Sequence, residues 1–398
     1  MNGIHIARRA AGSSNYYFAD KLAEIRRLVA AGHDVINLGV GSPDLAPNPV
    51  VKAAISGDMS ADGAFGYQPY RGVADLTLRF SQYLSDVFKV DQPSEGIVPL
   101  IGSKEGCGFL ALAHLDDGDG ALVPDPGYPT YSSATRLAGG EVLPYALREE
   151  TGYLPVVSEL ERSRLESESK GCTIRMMWLN YPHMPTGTPP DAVRLTEVVA
   201  WARVHGILLV HDNPYARILN IASPFSIMSI EGSSEVCIEL HSMSKSHRMA
   251  GARMGFAVGQ PALVAPMFKV ATQFASGSWR PLQHAAIAAL DADEAGIAEA
   301  NDIYAARKVA ALDLMATLGC SVNGHQVGMF VWAKAPEGWD GNRLSDTLLD
   351  QCQVFITPGS VFGSQGQGYI RLSLCSSVER IQAAHERIKL SFAPHHDD

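Results

Sequence analysis

Apolar residues recur along this chain with two periods, and the change of period marks its organisation. From Tyr16 to Ala31 the residues Phe18, Leu22, Ile25 and Val29 fall at three- and four-residue steps, which places them on one face of an amphipathic helix. Gly32 stops that helix. The short apolar run Val35–Leu38 then leads into Gly39–Val40–Gly41–Ser42–Pro43, a strand followed by a turn.

Through the middle of the chain, short apolar runs alternate with helical stretches. Ile97–Ile101 precedes a helix beginning near Lys104, and Gly120–Val123 precedes a proline-rich turn and a helix near Tyr131. Glu141–Pro144, Ile174–Leu179, Ile207–Val210, Val236–Leu240 and Met254–Val258 read as further strands. Apolar strands separated by helices predict an α/β fold, with a mostly parallel seven-stranded sheet covered on both faces. From about Leu282 the pattern changes. A long helical stretch runs to Leu318, followed by the strand Gly328–Ala333, a helix after Asn342, the strand Tyr369–Leu374 and a last helix from Val378. This stretch predicts a smaller α+β domain packed with the N-terminal segment. The expected divisions are an N-terminal segment over residues 1–50, a large domain over 51–285 and a small domain over 286–398.

A length of 398 residues is compatible with two such domains, and 46% hydrophobic with 19% charged residues is a globular balance. The formal net charge of -10 argues against a general nucleic-acid surface, which needs a clustered basic footprint. The six cysteines form no CxxC pair, a usage that fits buried thiols in a reducing compartment rather than a disulfide framework or a metal site. Met1–Ala10 has no apolar stretch after its arginines, and no apolar run is long enough to span a bilayer. The expectation is a cytoplasmic protein with no membrane, nucleic-acid or metal partner.

The strongest local signal follows the strand Val236–Leu240. It is Ser242–Met243–Ser244–Lys245–Ser246–His247–Arg248, continuing through Arg253 to Gly255. A lysine just past a strand end can form an imine with an aldehyde cofactor. Hydroxyls and a guanidinium beside it can hold a phosphate. A solvated basic turn would use the same residues, so the other segments decide. Asp212 and Tyr215 follow the strand Ile207–Val210. A carboxylate beside a pyridine nitrogen keeps it protonated, and a phenol can donate to the ring's phenolate. Asp212 could equally be a turn former before Pro214. Gly102–Ser103–Lys104–Glu105–Gly106 joins a strand to a helix start, where backbone N–H groups and the helix dipole favour an anion. Tyr128, in Asp125–Pro126–Gly127–Tyr128–Pro129, could stack on a flat ring or simply cover the core. Gly39–Val40–Gly41 lacks the third glycine of a dinucleotide fingerprint, and Ser42–Pro43 breaks the helix start that fingerprint needs.

In their order and spacing these segments resemble the class I/II aminotransferases, enzymes of the aspartate aminotransferase superfamily with the type I fold of pyridoxal-phosphate enzymes. The resemblance runs from about Tyr16 to the last helix. It implies pyridoxal phosphate as cofactor, held by Lys245 as a Schiff base, with Lys245 also the proton shuttle. It implies Asp212 at the pyridinium nitrogen, Tyr215 at the phenolate oxygen and Tyr128 stacked on the ring. Ser103, Lys104, Ser242 and Arg253 would bind the phosphate. Tyr67 would reach the phosphate of a neighbouring subunit, so a homodimer with shared active sites is expected. Arg371, in Tyr369–Ile370–Arg371–Leu372–Ser373, would clamp the substrate α-carboxylate with help from the Gly41 backbone. The implied reaction is ping-pong transfer of an amino group from an amino acid to a 2-oxo acid such as 2-oxoglutarate, with a place in amino-acid biosynthesis. The Gly-Ser-Lys-Glu-Gly segment and the helix opening Tyr16–Tyr17–Phe18 look like the branch of LL-diaminopimelate and N-succinyldiaminopimelate aminotransferases. Other chemistry on the same fold (elimination, decarboxylation or oxidation) and a non-catalytic binding role stay open at this level. Arg280 is a candidate for a distal substrate carboxylate, with a surface salt bridge as its plainer role.

One position departs from the pattern. The family's Asn-Pro-Thr-Gly reads Met184–Pro185–Thr186–Gly187 here. A thioether is a weak acceptor and cannot donate to the phenolate. Without that donor the imine proton is held more tightly. A pH titration of the visible absorption band should therefore give a lower midpoint for Met184→Asn than for the native chain; an unchanged midpoint would refute this.

Overall fold

The computed structural model describes residues 4–11, 17–220 and 222–392, so Tyr16 and the tail from 393 lie outside the described residues. The helix expected first spans Tyr17–Ala30. Strand β1 (Ile36–Asn37) follows it. Seven strands then build the large sheet: β2 (Ile97–Leu100), β3 (Gly120–Asp125), β4 (Glu141–Ala146), β5 (Ile174–Leu179), β6 (Leu208–Asp212), β7 (Cys237–Ser242) and β8 (Gly255–Gly259). Their order is β2-β8-β7-β6-β5-β3-β4, and only β8 runs antiparallel to its neighbours. The seven apolar runs of the sequence are these seven strands, displaced by a few residues at their ends.

Both faces of the sheet are buried, and strand alternation decides which side chain goes where. Met176 and Trp178 of β5, Leu208 and Val210 of β6, and Ile238 and Leu240 of β7 enter one core. The helices Ser103–His114, Pro129–Leu137 and Pro261–Phe274 lie over it. Met177, Leu179 and Leu209 point the other way, into the larger core that continues into the C-terminal part of the chain. On that second face His211 and Glu239 are polar yet fully buried. They are tolerated because Glu239 accepts from Ser226 Oγ at 2.8 Å and from the Ile227 amide at 2.8 Å, while its other contacts are His211 and His241, each at 2.7 Å.

Beyond the sheet, the long helical stretch is two helices, Arg280–Asp291 and Asp293–Thr317, parted at Ala292. An unbroken apolar pattern hides such a break, because Ala tolerates both conformations. The C-terminal part has an antiparallel sheet of β9 (Phe330–Lys334), β11 (Thr357–Pro358) and β12 (Tyr369–Ser373), in the order β11-β12-β9. Strand β10 (Val354–Phe355) pairs in parallel with β1, and this pairing ties the N-terminal segment to the C-terminal part. The helix Val378–Ser391 closes the chain. A bidentate pair from Arg307 to Asp44, both contacts at 2.7 Å, reinforces the same junction.

Phe355 is the wedge of that junction. It is fully buried, and a Cβ on Gly39 would lie 2.4 Å from its ring. Gly39 therefore lets two backbones approach, and its carbonyl accepts from Thr357 Oγ1 at 2.9 Å. Phe355→Ala should lower stability by about 3–5 kcal/mol, read as a reduced urea midpoint. An unchanged midpoint would mean the junction does not depend on this ring.

Candidate active site

Strands β2, β3, β5, β6 and β7 all end at the same edge of the sheet, where open α/β sheets place their ligands. β8 enters from that edge, so Arg253 arrives there too, just before its first residue. A cavity of about 360 Å³ lies at this edge. It is large enough for a small aromatic cofactor together with part of a substrate.

Of the residues singled out from sequence, Gly41, Ser103, Lys104, Tyr128, Asp212, Tyr215, Ser242, Lys245, Arg253 and Arg371 all line this one cavity. Tyr67 does not. It stands 96% exposed on a surface loop, where it is available to another chain rather than to this cavity. Arg280 lies outside as well, with its Nε 3.0 Å from Asp58 Oδ2.

Lys245 sits in a short helix, Met243–Ser246, that Ser242 caps by accepting from the Ser244 amide at 3.2 Å. Its Nζ donates to the Gly41 carbonyl at 2.6 Å. Burial holds this amine below the ordinary lysine value, and the guanidinium groups of Arg371 and Arg253 push the same way. A larger fraction is therefore neutral near pH 7 than for an exposed lysine, and the neutral amine is the nucleophile.

Asp212, at the end of β6, shows the opposite shift for the same physical reason. Burial raises its carboxyl above the usual range. Tyr131 donates to its Oδ2 at 2.9 Å, whereas Oδ1 is buried and, among the described residues, has no hydrogen-bond partner. Such an atom calls for a cationic or N–H donor from a ligand. Tyr131 is itself braced, stacked on Trp178 at 5.2 Å between centroids and edge-on to Tyr128 at 5.6 Å. Sequence reasoning passed over Tyr131. Its only signal was its place three residues after Tyr128 in a helix start, which puts both rings on one side.

At the other end, Ser103 and Lys104 begin the helix Ser103–His114. Gly102 precedes them with φ +110°, and a Cβ there would meet Arg253 Nη2 at 2.7 Å. The missing side chain lets Arg253 close over the helix start, so N–H groups, hydroxyls and two cations converge on one anion-sized place. Arg371, on β12, is buried between the rings of Phe330 and Phe362, 4.0 and 4.6 Å from its Cζ. Its Nη2 donates to the Gly39 carbonyl at 2.8 Å and its Nη1 to Met184 Sδ at 3.2 Å. Asn180, beside Met184 in the cavity, is held in place: it donates to the Asp212 carbonyl at 2.6 Å and accepts from the Met184 amide at 2.8 Å. Among the described residues no cluster of His, Cys, Asp and Glu could hold a metal ion, and no helix is long and apolar enough to cross a membrane.

Residues 33–388 match the family described as aminotransferase class I and II. The chain is 34% identical to an LL-diaminopimelate aminotransferase of Aquifex aeolicus, over 94% of this chain and 96% of that one. It is 32% identical to LL-diaminopimelate aminotransferase 2 of Trichormus variabilis, over 97% and 98%. Among solved structures, substrate-bound BacF from Bacillus subtilis superposes with a TM-score of 0.91 at 30% identity, covering 97% of this chain and 98% of that one. A probable N-succinyldiaminopimelate aminotransferase from Thermus thermophilus gives a TM-score of 0.84 at 27% identity, covering 94% and 99%.

Tyr131→Phe removes a hydrogen bond to Asp212 Oδ2 and leaves the stacking surface. A hydrogen bond to a charged group is worth about 1.5–3 kcal/mol. Pyridoxal phosphate should accordingly bind roughly 10- to 100-fold more weakly in a spectral titration, with the circular dichroism unchanged. Equal affinity would remove Tyr131 from the support of Asp212.

Proposed function

The chain belongs to the class I and II aminotransferases, enzymes that work with pyridoxal phosphate, and from that premise we propose that it moves an amino group between an L-amino acid and a 2-oxo acid such as 2-oxoglutarate, by a ping-pong route through Lys245. The observation that carries this reading is the buried Lys245 amine, hydrogen-bonded to Gly41 and facing the same cavity as Asp212 and Arg371.

The cavity fits the cofactor. Asp212 Oδ1 would accept the pyridine N–H, and the pocket closed by Gly102, Ser103, Lys104, Ser242 and Arg253 would take the phosphate. Tyr128 would cover the ring and Tyr215 would donate to its phenolate oxygen. When bound, the protonated ring supplies an electron sink that stabilises negative charge at the substrate α-carbon.

The chain's own groups do the rest. Arg371 receives the α-carboxylate in a bidentate fork, and its bonds to Gly39 and Met184 hold the guanidinium where the carboxylate arrives. Lys245 Nζ, its pKa lowered by burial, takes the proton from the α-carbon and later returns one. Phe330 and Phe362 keep water from Arg371, which strengthens its hold on an anion. The same reading makes the functional unit a homodimer in the cytoplasm, with Tyr67 reaching the phosphate in the neighbouring subunit. It divides the chain into the segment 1–50, a cofactor-binding domain over 51–285 and a small domain over 286–398.

Adding an amino-acid panel to the loaded protein should convert its visible band to that of the amino form of the cofactor, and 2-oxoglutarate should restore it. Initial rates at several fixed acceptor concentrations should give parallel double-reciprocal lines. Lys245→Ala should bind the cofactor but lose turnover by about 100-fold or more. A Lys245→Ala variant with near-native turnover would end the assignment of the base.

A further inference from the structure

The ladder between β5 and β6 ends at Leu179 opposite His211, so Asp212 stands one residue beyond it, with Leu240 of β7 as its ladder partner. Two side-chain bonds continue the seam on the β5 side. Asn180 donates to the Asp212 carbonyl at 2.6 Å, and His211 Nε2 accepts from the Tyr181 amide at 3.1 Å. A backbone amide can only donate, so Nε2 carries no proton and the ring's proton sits on Nδ1. Nδ1 lies 2.7 Å from Glu239 Oε2, which accepts it. Burial pushes the Glu239 carboxyl up, but its contacts with His241 and His211 outweigh this and hold it well below the usual carboxylate range. The Ile227 amide, at 2.8 Å, needs the same oxygen as an acceptor. Glu239 therefore fixes which nitrogen of His211 faces Tyr181 without a proton.

We propose that His211 is a positioning residue: with its tautomer set by Glu239, it pins the Tyr181 amide and so fixes the end of β6 that presents Asp212 to the cofactor's ring nitrogen. The proposal rests on the reading of Asp212 as the partner of that nitrogen. His211 does not line the cavity, because strand alternation turns the residue before Asp212 to the opposite face. It acts through the backbone instead. The same bond fixes the start of the segment that ends at Met184, whose amide returns to Asn180 at 2.8 Å and whose sulfur meets Arg371. One imidazole thus closes a circuit of contacts running from Asp212 through Asn180 and Met184 to Arg371. Filling the fully buried space would take a ring of this size. It would not take a proton on one particular nitrogen.

Two substitutions separate the two nitrogens of the ring. In His211→Gln the side-chain amide reaches the Nε2 position, where its oxygen accepts from Tyr181. In His211→Asn the amide reaches only the Nδ1 position, beside Glu239. Pyridoxal phosphate is titrated spectrally into each cofactor-free variant that keeps the native circular dichroism. His211→Asn should bind it about 10-fold more weakly, the scale of one lost buried hydrogen bond, and His211→Gln within about 3-fold of the native chain. Native affinity in His211→Asn overturns the proposal, and so does an equal loss in both variants, which is what packing alone gives. Asp212→Asn, measured beside them, tests the reading underneath. Native affinity there ends that reading and the proposal with it, whereas a loss there with native affinity in His211→Asn ends the proposal alone. Should a His211 variant lose the native circular dichroism, hydrogen exchange in the native chain decides. The Tyr181 amide should be as protected as the amides of β5, and exchange at the rate of an exposed turn overturns the proposal.

Discussion

Taking an amine and a carboxylate out of water is the constraint around which this molecule is arranged. Lys245 and Asp212 both face one cavity, and burial pushes both towards their neutral forms. An amine in that state is a good nucleophile and base. A carboxylate kept ionised against that shift needs a cationic partner, which the protonated ring of pyridoxal phosphate would supply. The desolvation that would weaken an ordinary surface pair is here the source of reactivity at one group and of affinity at the other.

Holding those groups in place falls to the sheet. Five strand ends point into one edge, so residues far apart in sequence arrive together on rigid elements rather than on long loops. Around the charged pair, a second set of contacts fixes the side chains themselves. Tyr131 is pinned by Trp178 and in turn holds Asp212. Asn180 ties the Asp212 backbone to Met184, and Met184 reaches Arg371. The thioether at this position thus links Arg371 to Asn180 and, through it, to the Asp212 backbone.

The N-terminal segment completes the cavity from outside the large sheet. Gly39 touches Phe355, Thr357 and Arg371, and Gly41 accepts from Lys245. The helix Tyr17–Ala30 adds Phe18 and Leu22 as wall.

Much of this was legible in the sequence. Seven apolar runs give seven strands because a strand buried on both faces must be apolar throughout. Lysine, aspartate and the glycine–serine turn stand out because each follows a strand end, where chemistry collects. The family resemblance made them one site. Three things were settled only by the tertiary structure. Tyr131 became the support of Asp212 through a contact 81 residues away in sequence, which no local pattern encodes. The break at Ala292 comes within a stretch whose residues all accept a helix. Phe18 and Leu22 read as the apolar face of an ordinary amphipathic helix; periodicity says that such a face is covered, but only the packing of that helix over Arg371 says that a cavity covers it.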